Sequence, residues 1–518
     1  MSLTAEPETR VGPAPEPVGA LVDDSAGGTS PSVYETGRLV ALAPWLPGHG
    51  ERLAWLLDGQ RPDGGWGAPG GYAIVPTLSA VEALLTDLRR GGPAPQSVAA
   101  AAHRGLAFLA AALRAETPPD LPATDLIVPA LLAAVDRLVD APAGPPPGLA
   151  DWAGRPRLPL PAGLDPNRLT RVRGLLAAGR PVPEKLAHAL EVAGELAYRA
   201  PGVRPSASGA VGASPAATAA WLGRPEPGPA LDYLYAVARS GPVPCASPIT
   251  VFERAWVLAV LVRAGVPVRV PERVLTGLRA AVGASGAATA PGLPADADTT
   301  SVALYALARL GRSPGVGALV GYDTGRHFCT WPGEDGASLT TNAHVLDALG
   351  EHPSRPGVTA ARRRVTDWLV GRQEPDGRWE DRWHASAYYA TYAVLLALAD
   401  HAPDGAARTA VERGVGWLLA TQRPDGSWGR WRGTAEETAY AVLALAGAGR
   451  AGDARIGAAL ARGRALLSDL DGRDGGPALW HDKDLYRPTL IVRAAVLAAS
   501  GHAGRASAYP EATMIRIA

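Results

Sequence analysis

Two carboxylates, Asp296 and Asp298, stand two residues apart in DADTTSVALYALARLG, directly ahead of Val302, Leu304, Tyr305, Leu307 and Leu310. Those apolar residues recur at helical spacing, so the pair opens a helix. One reading is an N-cap, because Asp and Thr oxygens accept from the backbone N–H groups that begin a helix. The other is proton chemistry, because close carboxylates can share a proton. Taken locally, the cap is the simpler reading.

The remaining chain must position that pair, and its totals limit what it can be. At 518 residues it is long enough for two or three domains with large cores. Fifty basic residues balance fifty acidic ones, so net charge recruits neither nucleic acid nor an anionic membrane. Cys245 and Cys329 are the two cysteines; they build no disulfide framework and lack the paired spacing of a zinc site. The opening residues lack a basic stretch followed by an apolar run, so no signal peptide is expected and 1–30 reads as a disordered tail. No unbroken apolar stretch reaches the roughly 18 residues needed to span a bilayer, and a cytoplasmic protein is expected.

Apolar residues recur at helical spacing between Gly/Pro punctuation, and strand alternation is almost absent, so the fold class is all-α. Three segments repeat: LLDGQRPDGGWG (56–67), LVGRQEPDGRWE (369–380) and LLATQRPDGSWG (418–429). In each, Pro-Asp-Gly ends a helix that carries Gln60, Gln373 or Gln422, and Trp66, Trp379 or Trp428 folds back over the helix end. An amphipathic helix follows every clamp. Repeated helix hairpins of this kind close into rings of inner and outer helices, and the wide gap between the first clamp and the other two suggests two rings. Residues 141–183 read as an irregular insertion and 280–295 as a flexible connection.

With these segments in view, the chain resembles the class II terpene cyclases, in particular the bacterial cyclases of linear prenyl diphosphates related to copalyl diphosphate synthases. The resemblance runs in order through SPSVYETGRLV (30–40), DLIVPALL (125–132), ASPAATAAW (213–221), VPCASPITVFERAWVL (243–258), DADTT (296–300), RWHASAYYAT (382–391), GTAEETAYAVLAL (433–445) and LWHDKDLYRP (479–488). The clamps resemble the repeat of squalene-type cyclases. The resemblance implies two α/α barrels with the active-site cavity between them: β in 31–50 plus 285–518, and γ inserted as 51–284. No aspartate-rich ionisation motif stands on a helix, so the diphosphate is expected to be retained.

The resemblance also implies roles. Asp298 takes the place of the general acid that protonates an alkene, and Asp296 supports it. Thr299 stands where the family motif has a third Asp, and its hydroxyl is expected to hydrogen-bond the acid. Trp383 and Tyr389 are the favoured cation-stabilising pair, with Tyr388, Trp331 and Trp256 as further candidates. His188 matches a terminating base. Lys185, Arg254, Lys483 and Arg493 are candidates for holding the diphosphate, assisted by Mg2+ through ligands that spacing does not identify. The expected substrate is farnesyl or geranylgeranyl diphosphate, the Thr form tilting slightly to farnesyl, and the product a drimane- or labdane-type diphosphate such as drimenyl or copalyl diphosphate. A squalene-type cyclase and a non-catalytic α/α-barrel binding module are the alternatives.

Overall fold

Three turns show how the repeat holds the chain together. Gln60 Nε2 donates to Gly64 O and Ala101 O at 2.8 and 2.9 Å, Gln373 to Gly377 O and Ala410 O at 2.8 Å each, and Gln422 to Gly426 O and Ala459 O at 3.0 Å each. One acceptor is in the turn and the other is on the next outer helix, so each amide ties the two. The indoles Trp66, Trp379 and Trp428 are fully buried, and their Nε1 atoms donate to Leu56 O, Leu369 O and Leu418 O at 2.7 to 2.9 Å. Gly105, Gly414 and Gly463 make room for the rings: a Cβ on any of them would lie 2.9 to 3.0 Å from the indole.

The computed structural model describes residues 19, 27–92, 94–142, 144–239, 241–469 and 476–501. The expected tail therefore lies outside the described residues up to 26, apart from Gly19. Residues 27–30 are pinned: Ser30 N donates to Arg487 O at 2.9 Å and Gly28 N to Glu253 Oε1 at 2.9 Å.

The γ barrel comes first. Its helices are α1 (Val33–Leu42), α2 (His49–Asp58), α3 (Ile74–Arg90), α4 (Pro95–Ala115), α5 (Thr124–Val139), α6 (Pro166–Ala177), α7 (Pro215–Leu222) and α8 (Pro229–Ala238), with a kinked 3-10 segment at Glu184–Ala197. α1, α3, α5, the 3-10 segment and α7 pack in succession, and α7 returns to α1, closing an inner ring. α4 is long and apolar enough to cross a membrane by length and composition, which the sequence reading did not expect. Half of its apolar stretch is buried, with Val98, Leu106 and Leu109 in the γ core.

The second barrel has inner helices α9 (Thr250–Arg263), α11 (Ala297–Arg309), α12 (Leu339–Gly350), α14 (Ala387–His401), α16 (Ala435–Ala448) and α18 (Thr489–Ser500). Each packs on the next and α18 packs back on α9, so this ring also closes. The outer helices are α10 (Glu272–Ala281), α13 (Val358–Val370), α15 (Gly405–Ala420) and α17 (Ala454–Asp469). Because an outer helix, or between α11 and α12 the 3-10 segment Gly317–Tyr322, returns the chain between successive inner ones, inner N-termini gather at one mouth, capped by Asp296, Ser338, Ser386 and Thr434.

Packing divides the domains differently from the expected boundaries. α1, expected in β, joins the γ ring, while α9 and α10, expected in γ, join the β core. The physical reason is which ring buries their apolar faces: Leu39 packs with Trp221 and Leu234 in γ, whereas Trp256 and Leu278 pack with Tyr305 and Tyr389 in β.

Candidate active site

Asp296 caps α11. Its Oδ1 accepts from Thr299 N at 2.6 Å and its Oδ2 from Thr289 Oγ1 at 3.1 Å. Only 2% of the residue is exposed. Burial pushes its carboxyl up to about 7, opposed by the Thr299 N–H and reinforced by the charge of Asp298. The stretch 280–295, expected to be flexible, is bonded to this helix. Ala287 N donates to Thr300 Oγ1 at 2.8 Å and Asp296 N to Ala287 O at 3.1 Å. Gly286 permits the approach: at its φ of +102°, a Cβ would sit 2.2 Å from Thr300 Oγ1.

Asp298 has a different partner. Its Oδ1 lies 2.6 Å from His344 Nδ1 on the neighbouring inner helix α12, and both side chains are largely buried. Sequence reading did not single out His344. The available signal was a histidine within the apolar segment ASLTTNAHVLDALG, but its approach to Asp298 depends on α11 and α12 being ring neighbours. The Thr299 hydroxyl, expected on Asp298, instead meets Thr289 Oγ1 at 3.0 Å on the Asp296 side. Position 299 is three residues past the cap, on its face, while 298 is turned roughly 100° away.

An aromatic wall starts at this pair. Trp256 meets the His344 ring edge-on at 5.5 Å and donates Nε1–H to Tyr389 OH at 2.7 Å. Tyr389 packs on Trp480 at 4.7 Å, on His384 at 4.9 Å and on Tyr440 at 5.0 Å, and Phe252 touches both Trp256 and Trp480. Tyr389 and Trp256 thus sit together, with Trp480, His384, Phe252 and Tyr440 as members the sequence did not single out. Trp383 is elsewhere, edge-on to Trp331 at 5.4 Å and beneath the Arg382 guanidinium. Tyr388, one residue before Tyr389, faces outward and packs on Trp417 of α15 at 4.7 Å. A cavity of about 30 Å³ lies between His344, Trp256 and Tyr389 at one end and Arg263 and Asp347 at the other. It has room for a water or two and none for a prenyl chain.

Across the mouth of this barrel lies γ. Arg382 pairs with Asp120 at 2.7 Å, Arg168 with Asp335 at 3.0 Å, and Tyr72 OH is 3.1 Å from His481 Nε2. The hairpin formed by β1 (Trp480–His481) and β2 (Leu485–Tyr486) presents Asp482, Lys483 and Asp484 at its tip. Asp484 accepts from Ser32 Oγ at 2.7 Å and Tyr34 N at 2.9 Å, at the start of α1.

That tip engages two of the expected functional residues. Lys483 is fully buried and its Nζ meets Glu35 Oε1 at 2.5 Å, Ser214 Oγ at 2.8 Å and Glu191 Oε1 at 3.0 Å. Three partners use its three protons, so its ammonium joins the domains and has none left for a diphosphate. His188 Nδ1 lies 2.7 Å from Gly212 O, and Nε2 lies 2.8 Å from Asp482 Oδ1. Burial opposes its charge, but Asp482 raises its pKa overall. With a carbonyl and a carboxylate as its partners, it is an imidazolium donating from both nitrogens, the opposite of the expected base. Among the other cations, Arg254 lies beside Gly277 of α10, Arg493 is exposed on α18, and Lys185 is exposed at the domain junction within electrostatic reach of Glu334.

Among the described residues, Asp347, Asp400 and His401 come close enough to share a metal ion. The group does not fit Mg2+. Arg263 already occupies it, 2.7 Å from Asp347 and 2.9 Å from Asp400, and it lies at the C-terminal ends of α12 and α14, away from Asp298. Both cysteines are buried and unpaired with each other.

Paired closed rings, with the Asp298–His344 pair beside an aromatic wall, fit a cyclase of the class II terpene type. Residues 334–490 match the squalene-hopene cyclase C-terminal domain. An ent-copalyl diphosphate synthase of Streptomyces sp. (strain KO-3988) is 44% identical over 384 residues, 72% of this chain and 73% of that one. A labda-7,13-dienyl diphosphate synthase of Streptomyces clavuligerus is 40% identical over 407 residues, covering 75% and 74% of the two chains. The solved ent-copalyl diphosphate synthase from Streptomyces platensis superposes with a TM-score of 0.90 at 44% identity, covering 94% of this chain and 98% of that one. The chain belongs to the bacterial class II terpene cyclases.

Proposed function

We propose that this cyclase converts geranylgeranyl diphosphate into a bicyclic labdane-type diphosphate of the copalyl kind, with the diphosphate retained. The 2.6 Å contact between Asp298 and His344 carries the initiation step. Protonated Asp298 transfers its proton to the terminal alkene: the O–H bond breaks, a C–H bond forms from the alkene electron pair, and a tertiary cation results. His344, donating Nδ1–H to Oδ1, stabilises the carboxylate left behind. Two ring closures move the cation along the chain past the aromatic faces, and proton loss from carbon then makes the product alkene. Water has to be kept from the cation throughout, since it would quench it.

The C20 substrate is favoured over the C15 one because the relatives above are named as copalyl and labdadienyl diphosphate synthases. Thr299, which tilted the sequence reading to farnesyl diphosphate, hydrogen-bonds on the Asp296 side and leaves the contacts of Asp298 unchanged. Lys185 is kept as a diphosphate anchor because it is exposed at the junction of the barrels, within electrostatic reach of Glu334. Mg2+ is an assay component in this proposal, and no step passes through it.

The test offers geranylgeranyl diphosphate, farnesyl diphosphate and squalene in parallel with Mg2+, treats the products with phosphatase and identifies them by mass spectrometry. A bicyclic C20 alcohol is expected. Turnover of farnesyl diphosphate alone, or of squalene alone, would overturn the assignment.

A further inference from the structure

The far end of the aromatic wall holds a buried carboxylate that the protonation step does not use. Glu436, in the first turn of α16, is 3% exposed. Its Oε1 accepts from Trp480 Nε1 at 2.7 Å and meets His384 Nε2 at 3.2 Å. His384 Nδ1 lies 3.0 Å from Ser386 N and 3.1 Å from Ser386 O, while Nε2 faces the Glu436 carboxylate, an acceptor that calls for a proton on Nε2. Oε2 is buried and has no hydrogen-bond partner among the described residues. Both rings that donate to Glu436 pack on Tyr389, whose hydroxyl accepts from Trp256 beside His344. A contiguous path of rings therefore joins Glu436 to the acid.

Hydrogen bonding to an anion polarises the donor ring. An indole or imidazole whose N–H is held by a carboxylate carries more negative charge on its π face, and that face then attracts a cation more strongly. A carboxylate is more than the two donors need: an amide oxygen in its place would accept from both without burying a charge.

We propose that Glu436 is a positioning residue for the migrating carbocation, acting through Trp480 and His384 to strengthen the cation-binding faces of the wall. This rests on the prenyl cyclisation proposed above. Glu436 has no contact with substrate in this scheme, and it neither gives nor takes a proton.

Glu436→Gln keeps an oxygen for both donors and removes the charge. With geranylgeranyl diphosphate, kcat is expected to fall about tenfold, the size of a cation–π contribution in a dry site, with KM and Tm close to those of the unchanged protein. Products should shift toward monocyclic or hydroxylated C20 alcohols, which form when a poorly held cation loses a proton or captures water early. Trp480→Phe removes the donor from the other side and should shift products in the same direction. In that background Glu436→Gln should cost less than it does alone. An unchanged kcat and product pattern in Glu436→Gln, or strictly additive effects in the double variant, would overturn this inference and leave the substrate assignment standing. Unchanged protein inert toward geranylgeranyl diphosphate overturns both.

Discussion

His344 Nδ1 lies 2.6 Å from Asp298 Oδ1, joining two inner helices of one barrel at the residue expected to deliver the initiating proton. Asp296 takes the capping role and Asp298 faces the histidine, so the cap and the proposed acid are different members of the same motif. Asp298→Asn should lower kcat on geranylgeranyl diphosphate at least about 10³-fold, since it removes the transferred proton, while circular dichroism and Tm stay near those of the parent. His344→Ala should lower kcat about 10²-fold with KM little changed, because its hydrogen bond matters most as the carboxylate develops. Full activity in Asp298→Asn refutes the assignment of the acid.

Asp296 gives the reaction a pH dependence. Its carboxyl is raised from the ordinary 3.8 to about 7, so the folded protein prefers its neutral form. Above about pH 7 an Asp296 anion beside Asp298 makes a second carboxylate harder to form, and kcat should decline up to about tenfold per unit. In Asp296→Asn, which keeps a capping oxygen, that decline should disappear. A pH–rate profile with the same high-pH limb in both proteins refutes the link.

Stability should follow the same direction. A carboxyl with a raised folded-state pKa favours folding below its unfolded pKa, and that advantage is lost as pH rises toward the folded value. Asp296 and Asp484, both raised to about 7 by burial, share that window. Their contribution should decline between about pH 4 and pH 7, and Asp484→Asn should flatten the trend in urea midpoints. A trend unaltered by the Asn substitution counts against it.

Lys483 and His188 should behave as structural groups at the domain junction. Lys483→Met leaves Glu35 and Glu191 buried without their cation and should cost about 3–5 kcal/mol. The corresponding fall in Tm should be accompanied by an unchanged KM in whatever protein remains folded. A raised KM with unchanged Tm would return Lys483 to diphosphate binding.

The glycines facing the clamps offer a packing test. Gly414→Ala puts a methyl 3.0 Å from the Trp379 ring and 2.9 Å from Leu395, and overpacking should cost about 1–3 kcal/mol. Trp379→Ala should cost about 3–5 kcal/mol through its cavity and the lost bond to Leu369 O. Thermal melts of both variants check the pair, and a Gly414→Ala protein as stable as the parent would mean the ring has room to move.

Local pattern determined a good deal by itself. Helical periodicity and the three Gln/Trp clamps are short-range features, and a Gln sixty residues into the chain meets its turn four residues away by local geometry alone. The capping of α11 by Asp296 is equally local, because the N–H it accepts is three residues on. Whether α1 and α9 belong to γ or β was not local: an apolar face does not say which ring will bury it, and closure decided that. The partners of the charged groups also came from the tertiary structure. His188 and Asp482 are 294 residues apart, and Lys483 and Glu35 are brought together by a hairpin tip from one barrel entering the other. A lone histidine or lysine carries no record of what will surround it, and its protonation state and role follow from those surroundings. His344 became visible as the partner of Asp298 only when the ring set α11 beside α12.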